Sequence, residues 1–276
     1  MPTLAHTLVV ADGARPDRTL LFLHGIIGRG SNLRTVARKV VAARPGWAVA
    51  LCDLRMHGAS QGFAPPHTVA AAAADLDGLD AVMPAPIRGV LGHSFGGKVA
   101  LSYLARRPEA LDEVVVVDAS PAARPLTGHR GSTLAVLDFL SSLPPRLPSR
   151  AGLVDAAVLT GITRSLGEWL AMNLVPASAD EGGGYRLALE LPALHAMLAD
   201  YLALDLWEVV ERVPGHARLD VVIAERGGVF PPEDRERLAR AAAAQPGRLG
   251  LHALDTGHWV HADDPDGLAA VVIGVV

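Results

Sequence analysis

Residues 89–101 read GVLGHSFGGKVAL, and the folding of this stretch decides the reading of the rest. Ser94 stands between Gly92 and Gly96 in the pattern G-x-S-x-G, with an apolar run before it and a helix-like run after it. A chain that passes from strand to helix in so few residues holds the serine backbone in a strained turn. The positions two before and two after it must then be small. The helix start points free N–H groups and the positive end of its dipole at the reacting centre. Ser94 is therefore read as a nucleophile, with a structural glycine turn as the alternative. A nucleophilic serine demands a histidine to take its proton and an acid to hold that histidine.

Outward from this turn, apolar runs alternate with helical ones. Strands are expected at 19–25, 47–54, 87–93, 111–120, 219–225 and 249–255. Helices are expected at 31–43, 68–83, 96–108 and 232–244, with a last one from about 265. The strands are nearly continuous in Val, Leu and Ile, which implies a mostly parallel, doubly wound α/β sheet covered on both faces. The rhythm breaks after Pro121. Residues 121–216 hold a Pro-rich piece, LPPRLPS (143–149), helical stretches at 152–174 and 193–213, and EGGGYRLALEL (181–191), turn-like and then briefly extended. So long and helical a segment is no loop. The expected division is a core of residues 1–120 and 217–276 with a helical cap, 121–216, inserted into it.

Composition narrows the function classes. Half of the 276 residues are hydrophobic, enough for a sizeable core. A net charge of -4 gives no reason to expect nucleic acid or an anionic membrane as partner. Cys52 is the only cysteine, which excludes an intrachain disulfide and a cysteine-based zinc site. It is read as packing within a strand. No segment has the pattern of a signal peptide. Apolar runs such as VVVV (114–117) fall far short of the ~20 residues of a membrane helix. The expectation is a soluble, cytoplasmic monomer or homodimer with no cofactor and no metal.

The partners of Ser94 follow from position. His258, in LDTGHWVHADDP (254–265), comes directly after the last strand, where Gly257 allows a close turn. It is preferred as the base over His261. The acid follows one of two strands: Asp118 ends VVVVD (114–118), and Glu225 ends VVIAE (221–225) with Asp234 beyond it. Asp118 is preferred, because such sheets place functional groups at the carboxyl ends of strands. Acyl transfer also needs donors for the tetrahedral oxyanion. The backbone N–H of Phe95 is one, and that of Ile26, in LFLHGIIG (21–28), is the candidate for the other. Asp53, Arg55 and His57 in DLRMHGAS are read as a hydrogen-bonded turn, and Lys98 as solvent-facing or salt-bridged. Trp169, Met172 and Trp207 are candidates to line an acyl pocket, as are Phe95 and Phe139.

Six pieces together carry a family resemblance: LHGIIGRGSNLRTVA (23–37), DLRMHGAS (53–60), GHSFGGKVAL (92–101), VVVVDASP (114–121), GGYRLALELPAL (183–194) and GHWVHADDP (257–265). They resemble the α/β-hydrolase superfamily, and within it small bacterial acyl esterases and mitochondrial abhydrolase-domain relatives. The resemblance implies the α/β-hydrolase fold and cofactor-free hydrolysis of carboxylic esters or thioesters. It implies Asp118 as the acid, and Ile26 and Phe95 as oxyanion donors. The sequence departs from the family in the cap, where LALELPAL is more apolar and PASADEGGG is a local variation.

The expected function is a serine esterase acting on small-molecule acyl esters of short to medium chain length, through Ser94, His258 and Asp118. Thioesterase, lipase or lactonase chemistry on the same residues is the alternative within hydrolases. A slow-turnover ligand-binding or sensor protein is the alternative outside them. A dehalogenase is disfavoured, since that chemistry uses a carboxylate where this chain has Ser94.

Overall fold

The computed structural model describes residues 2–124, 133–178 and 183–276. Its first half runs β1 (His6–Val9), β2 (Arg18–Leu23), α1 (Arg34–Ala43), β3 (Trp47–Cys52), α2 (Val69–Asp75), β4 (Ile87–His93), α3 (Phe95–Arg106) and β5 (Glu113–Val117). Next come α4 (Thr133–Ser142), α5 (Arg150–Leu159), α6 (Arg164–Ala171), β6 (Leu174–Pro176), β7 (Tyr185–Leu187), α7 (Leu191–Ala203) and α8 (Trp207–Glu211). The chain closes with β8 (Arg218–Ala224), α9 (Pro232–Ala244), β9 (Leu249–Leu254), α10 (Val260–Asp263) and α11 (Pro265–Val275).

The main sheet has seven strands in the order β1-β3-β2-β4-β5-β8-β9. β1 is antiparallel to β3, and all other pairs are parallel. Successive side chains of a strand point to opposite faces, so a strand apolar at every position feeds two cores. Leu20 and Phe22 of β2 pack on one face with Val36 and Val40 of α1 and with Leu268 and Val272 of α11. Leu21 and Leu23 pack on the other with α2, α3 and α9, through residues such as Ala72, Val99 and Leu238. This is the mostly parallel, doubly wound sheet expected from the alternation, in the α/β-hydrolase arrangement that the resemblance implied.

The departures from expectation are local. β1 went unread because it is a partly exposed edge strand, whose only sheet neighbour is β3. The helix expected over 152–174 is two helices, separated at Gly161, whose φ of +89° ends α5. Thr163 then caps α6 by accepting the Leu166 N–H. The stretch 193–213 likewise divides at residues 204–206 into α7 and α8. β6 and β7 form a short antiparallel hairpin where no clear strand was expected. Glu181 and Gly182 of EGGGYRLALEL lie outside the described residues.

Because β4, β5 and β9 are parallel, their carboxyl ends share one edge of the sheet. Ser94, Asp118 and His258 all follow those ends. α6 and α7, between β5 and β8, stand over the same edge, contributing Leu166, Trp169, Leu198 and Tyr201 to the cavity wall beside Ser94.

Candidate active site

The turn after β4 puts Ser94 at φ 54° and ψ -116°, a left-handed backbone that a side chain adopts only under constraint. The constraint is close packing. A Cβ on Gly92 would overlap the Gly96 carbonyl, and one on Gly96 would come within 2.5 Å of the Leu23 carbonyl oxygen. Any larger residue would push the strand and helix apart. The Ser94 N–H donates to the Val117 carbonyl at 3.0 Å, which anchors the turn to β5.

One residue beyond β5, Asp118 has a φ of +45° and is fully buried. Its N–H donates to the Val222 carbonyl at 2.8 Å, and its Oδ1 accepts the Ala224 N–H at 3.2 Å. The imidazole of His258 lies between these two residues. Ser94 Oγ donates to His258 Nε2 at 3.0 Å, and His258 Nδ1–H donates to Asp118 Oδ2 at 2.7 Å. These partners define the tautomer: the nitrogen facing the serine is the basic one. Glu225 is exposed. Asp234 accepts from Ser120 Oγ at 2.6 Å and from Arg124, away from the imidazole. Gly227 explains why this second loop supplies no acid. A Cβ there would stand 2.5 Å from Asp118 Oδ2, so the RGG segment closes over the carboxylate of Asp118 instead.

Opposite His258, the loop after β2 brings Ile26 to the cavity wall. Neither the Ile26 N–H nor the Phe95 N–H, at the start of α3, has an acceptor among the described residues. The next residue, Ile27, has a φ of +68°, and its N–H donates to His57 Nε2 at 3.1 Å. His57 in turn donates from Nδ1 to the Arg55 carbonyl at 2.8 Å. His24 does the same one layer deeper, accepting the Leu54 N–H at 3.0 Å and donating to the Gly25 carbonyl at 2.7 Å. The DLRMHGAS turn is thus a brace for the Ile26 loop. Asp53 adds to it by accepting the Gly30 and Ala59 N–H groups, and Arg55 pairs with Asp75 at 2.6 Å. His93 braces the opposite side, donating from Nε2 to the His258 carbonyl at 2.8 Å. Burial holds His24 and His93 well below the ordinary imidazole range and lowers His57 and His261 to about 4. These four rings are neutral. His24, His57 and His93 are scaffolding, and nothing in their spacing along the sequence marks them as such, because each bonds a backbone group of another loop. His261 is buried with no partner for Nδ1 among the described residues.

Ser94 and His258 open onto a cavity of about 470 Å³. Trp169 lines it, with its ring 4.7 Å from that of Trp259 and tilted 55° to it. Met172 and Trp207 do not line it. Met172 is 50% exposed on the surface, and Trp207 is buried under the Arg237 guanidinium at 4.3 Å. Phe95 and Phe139 are core residues. Trp259, Tyr201 and Leu198 belong to the wall, and sequence reasoning missed them. Only Trp259, next to His258, carried any signal. Among the described residues no group of three His, Cys, Asp or Glu side chains is placed to hold a metal ion. No helix of the described residues is long and apolar enough to cross a membrane.

Lys98 corrects one expectation. It is buried, not solvent-facing, and makes no ion pair among the described residues. Its ammonium donates to the carbonyls of Ala122, Tyr201 and Leu204 at 2.9, 2.7 and 2.6 Å, which uses all three of its hydrogens. It also lies 4.6 Å from the Tyr201 ring centroid. Burial lowers its pKa to about 8. Lys98 therefore ties α3 to the segment after β5 and to the carboxyl end of α7.

Comparison with known proteins identifies the family. Residues 20–271 match the alpha/beta hydrolase family. The sn-1-specific diacylglycerol lipase ABHD11 of Xenopus tropicalis is 31% identical, over 91% of this chain and 76% of its own. A putative esterase/lipase of Haemophilus influenzae is 24% identical, over 90% of this chain and 79% of its own. Among solved structures, an esterase from a marine microorganism superposes with a TM-score of 0.82 at 20% identity, covering 99% of both chains. With the fold, the serine turn and a match that spans most of its length, this chain belongs to the alpha/beta hydrolase family.

Proposed function

We propose that this protein is a serine hydrolase of carboxylic esters, with Ser94, His258 and Asp118 as its catalytic triad. The observation that carries the reading is the unbroken line from Ser94 Oγ to His258 Nε2 at 3.0 Å and from His258 Nδ1 to Asp118 Oδ2 at 2.7 Å, at the floor of a cavity. Lipase and esterase relatives support it. Ser94 Oγ attacks the acyl carbonyl while His258 Nε2 takes its proton. The Ile26 and Phe95 N–H groups, which lack acceptors among the described residues, hold the oxyanion. The tetrahedral intermediate collapses, the alcohol leaves with the proton from His258, and an acyl-enzyme remains. His258 then draws a proton from water, whose oxygen attacks the same carbonyl; the bond from Ser94 Oγ to the acyl carbon breaks as His258 returns the proton to Oγ, and the acid is released. Asp118 stays ionised throughout and stabilises the imidazolium.

The insertion of residues 121–216 serves as a cap that excludes water and selects the acyl chain. A cavity of about 470 Å³ suits short to medium chains. The test is steady-state hydrolysis of p-nitrophenyl esters from acetate to palmitate. Wild type should turn over many times, fastest on the shorter members. Ser94→Ala and Asp118→Asn should each lose on the order of 10³-fold or more in kcat, as triad members do. An Asp118→Asn variant near wild-type rate, or a wild type limited to one turnover, would refute the assignment.

A further inference from the structure

Among the described residues that line the cavity, two carry a full charge, Lys98 and Arg124, and both are cations. The nearby carboxylates stand behind the surface: Asp118 is covered by His258, and Asp234 is buried behind Arg124. Lys98 has no hydrogen left to offer a ligand, since three backbone carbonyls take them all. It contributes field alone.

Arg124 is different. One terminal nitrogen, Nη2, donates to Asp234 Oδ2 and, at 3.4 Å, to Ser120 Oγ. Ser120 Oγ is itself fixed, donating to Asp234 at 2.6 Å and accepting the Ala122 N–H at 3.1 Å. The Arg124 backbone N–H donates to the Leu202 carbonyl at 2.6 Å. The guanidinium is thus anchored on one side and keeps 34% of its side-chain surface. Nε and Nη1 have no acceptor among the described residues. An uncharged chain packed against this group would strip water from two cationic donors and return nothing. An oxyanion would satisfy them, and Lys98 adds to the attraction.

We propose that the cavity takes esters carrying a carboxylate several bonds from the scissile carbonyl, and that Arg124 receives this carboxylate with the donors Asp234 leaves unused. This assignment rests on the ester-hydrolase reading above. The carboxylate sits either on the acyl chain or on the alcohol, and the chemistry that recognises it is the same.

Two matched substrate pairs test it. For the acyl side, kcat/KM is measured for the mono-p-nitrophenyl ester of adipic acid against p-nitrophenyl hexanoate. For the alcohol side, the acetate ester of 6-hydroxyhexanoic acid is compared with hexyl acetate, followed by proton release. The expected result is a preference of about tenfold or more for the charged member of one pair, in the range of a charge-assisted hydrogen bond. Arg124→Gln should bring that ratio close to one, and Arg124→Lys should retain part of it. If Arg124→Gln unfolds because Asp234 is left unpaired, Arg124→Gln/Asp234→Asn removes both charges and should show the same collapsed ratio. Binding to Ser94→Ala separates the two readings. Calorimetry with monomethyl adipate and methyl hexanoate reads the Arg124 site without any turnover. Equal affinities there, or ratios near one in both wild-type pairs, would overturn the subsite. Failure of all four esters alongside selective binding of monomethyl adipate would overturn the hydrolase reading and uphold the subsite.

Discussion

Acidification from pH 7 to pH 5 should destabilise this protein through its neutral histidines. His57 and His261 have folded pKa values of about 4, set first by burial, against an unfolded value of 6.5. At pH 5 each binds a proton in the unfolded chain and not in the folded one. Protons therefore pull toward unfolding, and stability is lost as pH falls from 6.5 toward 4. The shift in balance between pH 7 and pH 5 is about 1.5 pH units per group, or about 2 kcal/mol each at 1.36 kcal/mol per unit. His24 and His93, also lowered by burial, act in the same direction. Glu113 opposes them. Burial raises its pKa to about 7 from 4.5, so the folded state gains a proton over the same interval and recovers at most about 2 kcal/mol, less after solvent screening of this partly exposed carboxyl. His57 and His261 less Glu113 leave a net loss of at least about 2 kcal/mol, which His24 and His93 enlarge. Against a typical total of about 5–15 kcal/mol, that is a large share. Urea unfolding at the two pH values, with the slope m held as a check on two-state behaviour, measures it. His57→Gln should flatten the dependence by about 2 kcal/mol. Equal or greater stability of wild type at pH 5 would refute the reasoning. The functional corollary lies in the Ile26 loop. A protonated His57 can no longer accept the Ile27 N–H, so activity should fail together with stability.

Three further outcomes follow from single contacts. Gly227→Ala sets a methyl 2.5 Å from Asp118 Oδ2 and should lower kcat by about tenfold or more through displacement of the carboxylate proposed as the triad acid, with KM little changed in the ester assay. Lys98→Met leaves the carbonyls of Ala122, Tyr201 and Leu204 buried without a donor. At ~1–3 kcal/mol for each unsatisfied group, less the relief of a desolvated ammonium, the loss should be about 2–4 kcal/mol by urea unfolding. Unchanged stability would mean that water replaces the ammonium. Cys52 is fully buried and burial pushes its thiol pKa far up, so a chromogenic disulfide reagent should label it only after denaturation. Labelling of the native protein would contradict the packing of β3.

Which parts of this protein can be read without coordinates depends on the range of the interaction involved. The α/β alternation was legible because a parallel strand buried on both faces must be apolar at every position, as RTLLFL and EVVVV nearly are. Ser94 was legible because its constraint is local: glycines two residues away on either side make room for a turn that no other residue allows. Asp118 and His258 were legible as strand ends but not as partners. Only the parallel register of β4 with β5, and the order that places β8 and β9 beyond them, brings the three side chains to one point. That the carboxylate of Asp118, and not that of Glu225, meets His258 shows only in the folded chain, where Gly227 closes over Asp118 in a contact between loops over 100 residues apart. The cavity wall was the least legible. A tryptophan reads the same in sequence whether it lines a cavity, as Trp169 does, or lies under an arginine, as Trp207 does. Lys98 reads as a surface charge until the carbonyls of Ala122, Tyr201 and Leu204 converge on it from two distant segments. Local sterics and periodicity are written residue by residue. Which groups share a desolvated space is settled by chain crossings, and those exist only in the folded molecule.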